Sequence, residues 1–318
     1  MLKVKDLSFF YENDKEILKT INFSVAKGNN LAIIGESGCG KSTLLKLIYG
    51  LYDADYGSIH WKEGLVTGPK FNLVPGMPYM KYLAQDFDLM PYVTVAENVG
   101  KFLSNFFLED KKARIDELLD VVEMTEFATV KAKFLSGGQM QRVALAKVLA
   151  KEPEVLLLDE PFSHIDNFRK NSLRRKIFQY LKEKQITCVI ATHDVQDVLS
   201  FSDEVLVMKN GELLETGTTQ SIYQEPQSFY TASLFGEVSK IPAHYFELQP
   251  TSEEEDFVLC YPHELQLVER SALRVKVLKS YFSGSHYLVE AQHDGEKVYF
   301  NSTVEINKNE EVFLRLNR

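Results

Sequence analysis

Hydrophobic residues follow two different spacings along this 318-residue chain, and the change lies near residue 235. Before it, continuous apolar runs at 31–34, 155–158 and 186–191 are typical of strands buried on both faces of a sheet. Segment 171–184 has the spacing of a helix, and residues 204–216 have that of a hairpin with an Asn-Gly turn. Strands that alternate with helices predict an α/β fold with a mostly parallel sheet.

Beyond residue 236 the pattern becomes that of half-exposed strands. Apolar residues alternate with charged ones at 273–277, apolar positions alternate again at 312–316, and an Asp-Gly turn lies at 294–295. This pattern predicts a small all-β domain over residues 236–318. The acidic run at 253–256 lies early in that domain, and we expect a solvated loop there rather than a site.

The composition is that of an ordinary soluble globular protein, with 45% hydrophobic and 25% charged residues. The length exceeds that of one typical domain and is sufficient for two. No stretch of 18 apolar residues occurs, so the sequence predicts no membrane-crossing helix. The start, Met1–Phe10, carries charged residues and lacks the core of a signal peptide, which leads us to expect a cytosolic protein.

Charge and cysteine content narrow the function classes further. The net charge of −9, without a strongly basic block, disfavours extended contact with nucleic acid or anionic lipid. Contact through a small local patch of basic residues is still compatible with this charge. The three cysteines, Cys39, Cys188 and Cys260, lie far apart and have no metal-ligand spacing. Their odd number suits free thiols in a reducing compartment.

A phosphate-binding loop is the strongest chemical signal in the chain. The octapeptide GESGCGKS at 35–42 matches the pattern Gly-x4-Gly-Lys-Ser/Thr, and it lies between the strand at 31–34 and an amphipathic helix over 43–49. Glycines let backbone N–H groups close around phosphates, and the helix N-terminus adds partial positive charge. Lys41 would reach the β- and γ-phosphates and Ser42 would hold Mg²⁺. The alternative is a glycine-rich turn beside a lysine.

Polar residues also follow the next two buried strands. Asp159 and Glu160 end one strand, at the edge where ligands of such sheets bind. Asp159 fits a Mg²⁺-binding acid beside Ser42, and Glu160 is placed to polarise an attacking water; the alternative is a pair of solvated turn residues. His193 is the one histidine that ends a strand in the right order after these motifs. Gln85 is a weak signal, because glutamines are common in loops.

The segment LSGGQ at 135–139 opens a helix and supplies a second anion-binding helix N-terminus. With GESGCGKS, LSGGQ, VLLLDE and the downstream His193, the sequence resembles the ATP-binding cassette family of transporter ATPases over residues 1–235. The resemblance implies a phosphate-loop cassette with a parallel sheet core, an antiparallel β subdomain and a helical subdomain at about 87–150. It implies catalytic roles for Glu160, His193 and Gln85, and Mg²⁺ binding by Ser42, Gln85 and Asp159. It implies ATP binding by Tyr11, Gly35, Glu36, Ser37, Gly38, Cys39, Gly40, Lys41, Ser42, Thr43, Ser136, Gly137, Gly138, Gln139 and Asp166.

Two positions carry the resemblance less clearly. Tyr11 would stack on adenine, but Phe9 and Phe10 adjoin it, and an aromatic residue so near a strand can belong to the core. His164 stands where the family usually has a small or aliphatic residue, so its role is open, whereas Asp166 remains in register.

The resemblance also implies partners. The LSGGQ of one subunit closes over ATP held by the phosphate loop of another, so the chain would pair with a second cassette, expected to be a copy of itself. Transmembrane permease subunits would dock near Phe87–Val93, whose apolar residues could alternatively be core of the helical subdomain. A separate substrate-binding protein would be an indirect partner, because it would supply substrate to the assembled transporter. The assembled protein would lie at the cytoplasmic face of the inner membrane.

The C-terminal domain narrows the expected function. Tyr261–Leu265 and the strands that follow look like the OB-like regulatory (TOBE-type) domain of importer ATPases for sugars, polyamines, iron(III), sulfate or molybdate, and its acidic balance argues against nucleic acid. We therefore expect the ATP-hydrolysing subunit of an importer. An exporter ATPase normally lacks this domain, and a soluble cassette ATPase of DNA repair or translation normally has a coiled-coil insertion or tandem cassettes. A non-enzymatic scaffold would require a damaged catalytic set.

Overall fold

The computed structural model of the chain describes residues 1–11, 15–84, 86–246 and 257–317. Gln85 and the acidic run at 253–256 lie outside these residues, so their predicted roles are not addressed by the structure. The chain forms two compact units, Met1–Gln220 and Ser221–Arg318. Segment 221–235 groups with the second unit, and the functional division that the sequence predicts at residue 235 stays a prediction.

Strands and helices alternate through the first unit. The strands are β1 (Leu2–Tyr11), β2 (Lys15–Val25), β3 (Asn30–Ile34), β4 (Tyr56–Trp61), β5 (Gly64–Leu65), β6 (Met80–Leu83), β7 (Val155–Asp159), β8 (Thr187–Ala191), β9 (Glu204–Lys209) and β10 (Glu212–Thr218). The helices are α1 (Lys41–Tyr49), α2 (Val95–Val99), α3 (Leu108–Val121), α4 (Gly137–Leu149), α5 (Asn167–Glu183) and α6 (Val195–Phe201), followed by α7 (Thr219–Gln224).

A six-stranded sheet with the order β10-β9-β3-β8-β7-β6 forms the centre of this unit. Its strands from β9 to β6 are parallel, and every residue of β3, β7 and β8 is buried, which confirms the mostly parallel sheet predicted from the continuous apolar runs. The hairpin is also confirmed: β9 and β10 pair antiparallel around Asn210 and Gly211, both with positive φ.

The alignment of the parallel strands decides where the motifs meet. Ala191 at the end of β8 pairs with Ile33 of β3 on one side and with Asp159 of β7 on the other. The segments that follow these three strands therefore leave the sheet at one edge, where ligands of open α/β sheets bind.

A second sheet, with the order β2-β1-β4-β5, is antiparallel and shares a hydrophobic core with the central sheet and α1. Leu2, Leu18 and Ile21 are fully buried in this core, together with Leu44 and Ile48 of α1. Helix α5 begins at Asn167, four positions before the predicted 171, and the carbonyl oxygen of Asp166 at its N-cap position accepts from the N–H groups of Arg169 and Lys170. The alternation of helix and sheet fits a cassette with parallel, antiparallel and helical parts.

The second unit is mainly antiparallel β structure, as the alternating pattern predicts. It contains α8 (Phe229–Ser233), β11 (Ser239–Pro242), β12 (Phe257–Cys260), β13 (Leu265–Val268), β14 (Leu273–Phe282), β15 (Tyr287–His293), β16 (Glu296–Ser302) and β17 (Glu311–Leu316). Strands β13-β17-β14-β15-β16 form one sheet, and β11 pairs with β12. Leu273, Val275 and Val277 face the core while Arg274 and Lys276 are exposed.

None of the helices in the described parts of the chain combines the length and the apolar character that a membrane crossing needs. Cys39, Cys188 and Cys260 are buried and form no disulfide in the described part of the chain.

Replacing Phe300 by Ala should destabilise the second unit by about 3–5 kcal/mol, because Phe300 is fully buried and its removal leaves a cavity. Phe282→Ala is the matched control, since Phe282 is 72% exposed in the same sheet and its loss should cost less than about 0.5 kcal/mol. Urea unfolding of the full chain measures both. Equal losses for the two variants would contradict this packing.

Candidate functional site

The phosphate loop forms a glycine-rich turn that leads directly into α1. Gly40 has φ of 109° and occupies the N-cap position of α1, so the helix begins directly at Lys41. At Gly35 a Cβ would lie 2.2 Å from the carbonyl oxygen of Met208, so only glycine fits there. The Lys41 ammonium donates to the carbonyl oxygens of Gly35 and Glu36 at 2.7 and 2.9 Å, which holds its charge over the loop. The arrangement suits an anion bound by backbone N–H groups and one lysine.

The other residues expected to bind ATP in and after this loop differ in their exposure to solvent. Glu36, Ser37 and Gly38 are exposed, whereas Cys39 and Thr43 are buried beneath the loop. Burial raises the pKa of the Cys39 thiol. Cys39 is therefore a neutral packing residue whose backbone, rather than its sulfur, belongs to the anion-binding turn.

Asp159 at the end of β7 meets Ser42 at the start of α1. The Ser42 hydroxyl donates to Asp159 Oδ1 at 3.0 Å, and the Tyr82 hydroxyl donates to Oδ2 at 3.1 Å. The carboxylate is 4% exposed. A hydroxyl and a carboxylate oxygen are the hard ligands that Mg²⁺ accepts, so this pair fits the expected metal.

Tyr82 is a site residue that sequence reasoning missed. It lies on β6, and only the pairing of β6 with β7 reveals that its hydroxyl reaches Asp159. Burial, and next the negative charge of Asp159, raise the pKa of Tyr82 well above its ordinary value. The phenol therefore stays a hydrogen-bond donor, which suits the outer partner of a carboxylate expected to bind a metal.

Glu160 and His193 lie side by side at the ends of β7 and β8. Glu160 Oε2 is 2.8 Å from His193 Nδ1. Glu160 has φ of 51°, a left-handed conformation, and its N–H donates to the carbonyl oxygen of Ala191 at 2.9 Å. Its side chain is 17% exposed and that of His193 is 73% exposed, so the pair faces open space at the sheet edge.

A buried polar network anchors the segment that carries His193. Arg174 of α5 is 2% exposed and donates to Asp194 Oδ2 at 2.5 Å, and its Nε lies 2.5 Å from Asp197 Oδ1. The Thr192 hydroxyl donates to Asp197 Oδ2 at 2.6 Å. Burial raises the pKa of Asp197 to about 6. Burial is also the largest single influence at Asp194, but the hydrogen bonds from Arg174 and the Gln196 N–H and the positive charges of Arg174 and Lys170 together outweigh it and lower the pKa of Asp194. Arg174 is the further residue that the sequence did not single out.

Tyr11 ends β1 beside the first turn of α1, where its hydroxyl lies 3.2 Å from Thr43 Oγ1. Its neighbour Phe9 is 6% exposed, whereas Tyr11 is 38% exposed and packs edge-on against Phe9 and Tyr52. The core position belongs to Phe9, which leaves the Tyr11 ring available beside the phosphate loop.

The LSGGQ segment caps its own helix. Ser136 Oγ accepts from the Gln139 N–H at 3.3 Å and Gln139 Oε1 accepts from the Ser136 N–H at 2.8 Å, a capping box at the N-terminus of α4. Gly137 faces open space. A cavity of about 320 Å³ lies in front of this N-terminus, and it is lined by Phe127, Ser136, Gly138, Gln139, Arg142, Ile165, Asp166, Phe168 and Arg169.

The segment Phe87–Val93 is attached to α4. The Lys147 ammonium, 6% exposed, donates to Asp88 Oδ2 at 2.8 Å and to the Asp88 carbonyl oxygen. The ring of His164 contacts Phe87 edge-on, with centroids 5.5 Å apart. None of the residues 87–93 is fully buried, and Tyr92 is 73% exposed. Phe87, Leu89, Met90 and Val93 are half-buried, so the segment combines exposed and partly covered apolar side chains.

The comparisons with known proteins agree with this geometry. A protein-family model described as ABC transporter matches residues 18–163. An Fe(3+) ions import ATP-binding protein of Haemophilus influenzae is 35% identical over 249 residues, which cover 78% of this chain and 70% of that protein. A spermidine/putrescine import ATP-binding protein of Clostridioides difficile is 32% identical over 339 residues, covering 98% of this chain and 93% of the other.

Solved structures show the same fold. A dimeric ATP-binding cassette in a post-hydrolysis state, bound to ADP and Pi, superposes with a TM-score of 0.61 and 27% identity over 69% of this chain and 99% of that one. The cbiO1 protein of Clostridium perfringens, part of an ABC transporter complex, superposes with a TM-score of 0.62 and 29% identity over 70% and 90%. The motifs, their geometry and these similarities lead to one conclusion: this chain belongs to the ABC transporter family of ATP-binding proteins.

Proposed function

We propose that this chain is the ATP-hydrolysing subunit of an importer. The observation that carries the proposal is the meeting of Ser42, Asp159, Glu160 and His193 at one edge of the central sheet. The spermidine/putrescine import protein matches 98% of this chain, including the second, β-rich unit. That match favours an importer over an exporter or a soluble cassette ATPase.

The phosphate loop would bind the triphosphate of ATP, and Tyr11 would stack on the adenine. Lys41 would exchange the carbonyl oxygens of its own loop for phosphate oxygens, a gain because an ammonium binds an anion more strongly than a neutral acceptor. Ser42 and Asp159 would hold Mg²⁺, which would neutralise negative charge on the phosphates. Tyr82 keeps one oxygen of Asp159 occupied and so orients the other.

Glu160 would act as the base that accepts a proton from the attacking water. The Glu160 side chain is largely buried, and His193 is 2.8 Å from one of its oxygens, so the contact with His193 orients the carboxylate. His193 would contact both Glu160 and the γ-phosphate and so keep the base close to the phosphate. Gln85 would contact the metal and the water, as the family resemblance implies.

Two copies of the chain would enclose two ATP molecules. The N-terminus of α4 and the open space at Gly137 suit a phosphate that another subunit brings. Dimeric cassettes of this fold are known, one with bound ADP and Pi. Asp166 lines the cavity in front of Ser136 and would belong to the same interface.

Membrane permease subunits would be the other partners, since the relatives are import ATP-binding proteins. The exposed segment Phe87–Val93 would contact them, and its attachment to Lys147 would pass motion of α4 to the permease. The chain would then be peripheral to the membrane, on the side that supplies ATP. The second unit would regulate this motor, and Fe(3+) or polyamine import is the cargo class that the relatives suggest.

Replacing Glu160 by Gln should lower phosphate release by about a hundredfold or more while ATP still binds, because the amide keeps the shape of the side chain but cannot accept the proton. Phosphate release and equilibrium nucleotide binding measure the two effects. Glu183→Gln on exposed α5 is the matched control and should behave as wild type. Wild-type turnover in Glu160→Gln would falsify the base assignment.

Glu160→Gln with ATP should dimerise, and adding Ser136→Arg or Gly137→Asp should abolish the dimer, because a bulky or anionic side chain blocks the α4 N-terminus. Light scattering with and without ATP measures the mass in solution. Ser283→Arg in an exposed turn of the second unit is the control and should leave the dimer intact. A dimer indifferent to Ser136→Arg would rule out this interface.

A further inference from the structure

Gln141 is a buried polar side chain in α4 to which no role has so far been attached. It lies two residues after the LSGGQ segment and is 2% exposed. Its Nε2 donates to the carbonyl oxygen of Glu160 at 2.9 Å, and its Oε1 accepts from the backbone N–H of His164 at 3.0 Å. One amide therefore bonds both ends of the backbone from Glu160 to His164.

The two backbone partners fix the orientation of this amide. A backbone carbonyl can only accept and a backbone N–H can only donate, so exchanging the oxygen and nitrogen of Gln141 would lose both hydrogen bonds. Of the side chains with similar shape, only an amide both donates and accepts at neutral pH. A carboxylate only accepts, and a thioether donates nothing.

The segment that Gln141 holds needs such support. Glu160 has φ of 51°, and a left-handed conformation at a non-glycine residue persists only where its surroundings hold it. Ser163 Oγ also donates to the Glu160 carbonyl oxygen, at 3.0 Å. The carbonyl oxygen of His164 lies 2.7 Å from where a Cβ of Gly138 would be, so α4 packs directly on this segment.

We propose that Gln141 is a positioning residue for ATP hydrolysis. Its amide holds the backbone of Glu160 in the conformation that aims the carboxylate at His193 and the attacking water, and it ties that backbone to the LSGGQ helix. The inference rests on the proposed function, because it takes Glu160 as the base. Gln141 is buried and both ends of its amide are bonded to backbone groups, so its loss should lower the rate of hydrolysis rather than the affinity for ATP.

The first experiment separates these two quantities in the full-length protein. Gln141→Met should lower kcat by about tenfold to a hundredfold, because small displacements of a catalytic group cost factors of this size. The dissociation constant for ATP should stay within about twofold. Gln179→Met is the matched control, since Gln179 donates to Glu183 on the surface of α5, and it should keep wild-type kcat.

The second experiment tests the donor of the amide by pH. In Gln141→Glu an ionised carboxylate can accept from His164 but cannot donate to Glu160, whereas the protonated carboxyl group can do both. The ratio of its kcat to wild-type kcat at the same pH should therefore rise by about tenfold as pH falls through the pKa of the new carboxyl group. The corresponding ratio for Gln141→Met should not change with pH. A merely structural role would not produce this difference.

Circular dichroism and thermal unfolding establish that each variant is folded, and Gln141→Glu carries the test if Gln141→Met does not fold. Wild-type kcat in folded Gln141→Met, a parallel loss of ATP affinity, or a flat pH ratio for Gln141→Glu overturns the positioning role. A wild-type protein that releases no phosphate would instead contradict the proposed function.

Discussion

The parallel pairing of β3, β8 and β7 is the constraint on which the site depends. Hydrogen bonding between parallel strands aligns Ile33, Ala191 and Asp159, so the segments that follow must leave the sheet together. The phosphate loop, the carboxylate pair and His193 are far apart in sequence and meet only for this reason. Because all three strands are buried on both faces, their hydrophobic contacts resist any shift of register, and a shift would separate the groups proposed to act in catalysis.

Helix α4 is the second organising element, because its buried face carries polar side chains that bond to neighbouring segments. Gln141 bonds to the backbone after β7, Lys147 bonds to Asp88, and Arg142 donates to the carbonyl oxygen of Glu123 at 2.8 Å. Burying such groups is costly unless they are paired, so each one favours a single position of the segment it holds. A displacement of α4 would therefore shift Glu160 through Gln141 and shift the segment Phe87–Val93 through Lys147.

Hydrogen bonds within the chain hold the charged groups of the site in place. Lys41 already lies over the phosphate loop on carbonyl oxygens, and Asp159 is held by two hydroxyl donors. Two hydrogen bonds, from Thr192 to Asp197 and from Arg174 to Asp194, hold the start of α6. The backbone on both sides of His193 is therefore anchored. Preorganisation of this kind lowers the cost of reorganising polar groups during the reaction.

The sequence by itself determined the family motifs and the mostly parallel character of the sheet, because short motifs such as GESGCGKS act through their own backbone and the apolar runs specify buried strands. The alternation at 273–277 determined the β character of the second unit for the same reason. Tertiary structure decided which side chains support that chemistry. Tyr82, Arg174 and Gln141 lie in ordinary strand or helix patterns, and their partners are far away in sequence. Their roles follow from hydrogen bonds that exist only once the sheet and α4 are packed, which no local pattern encodes.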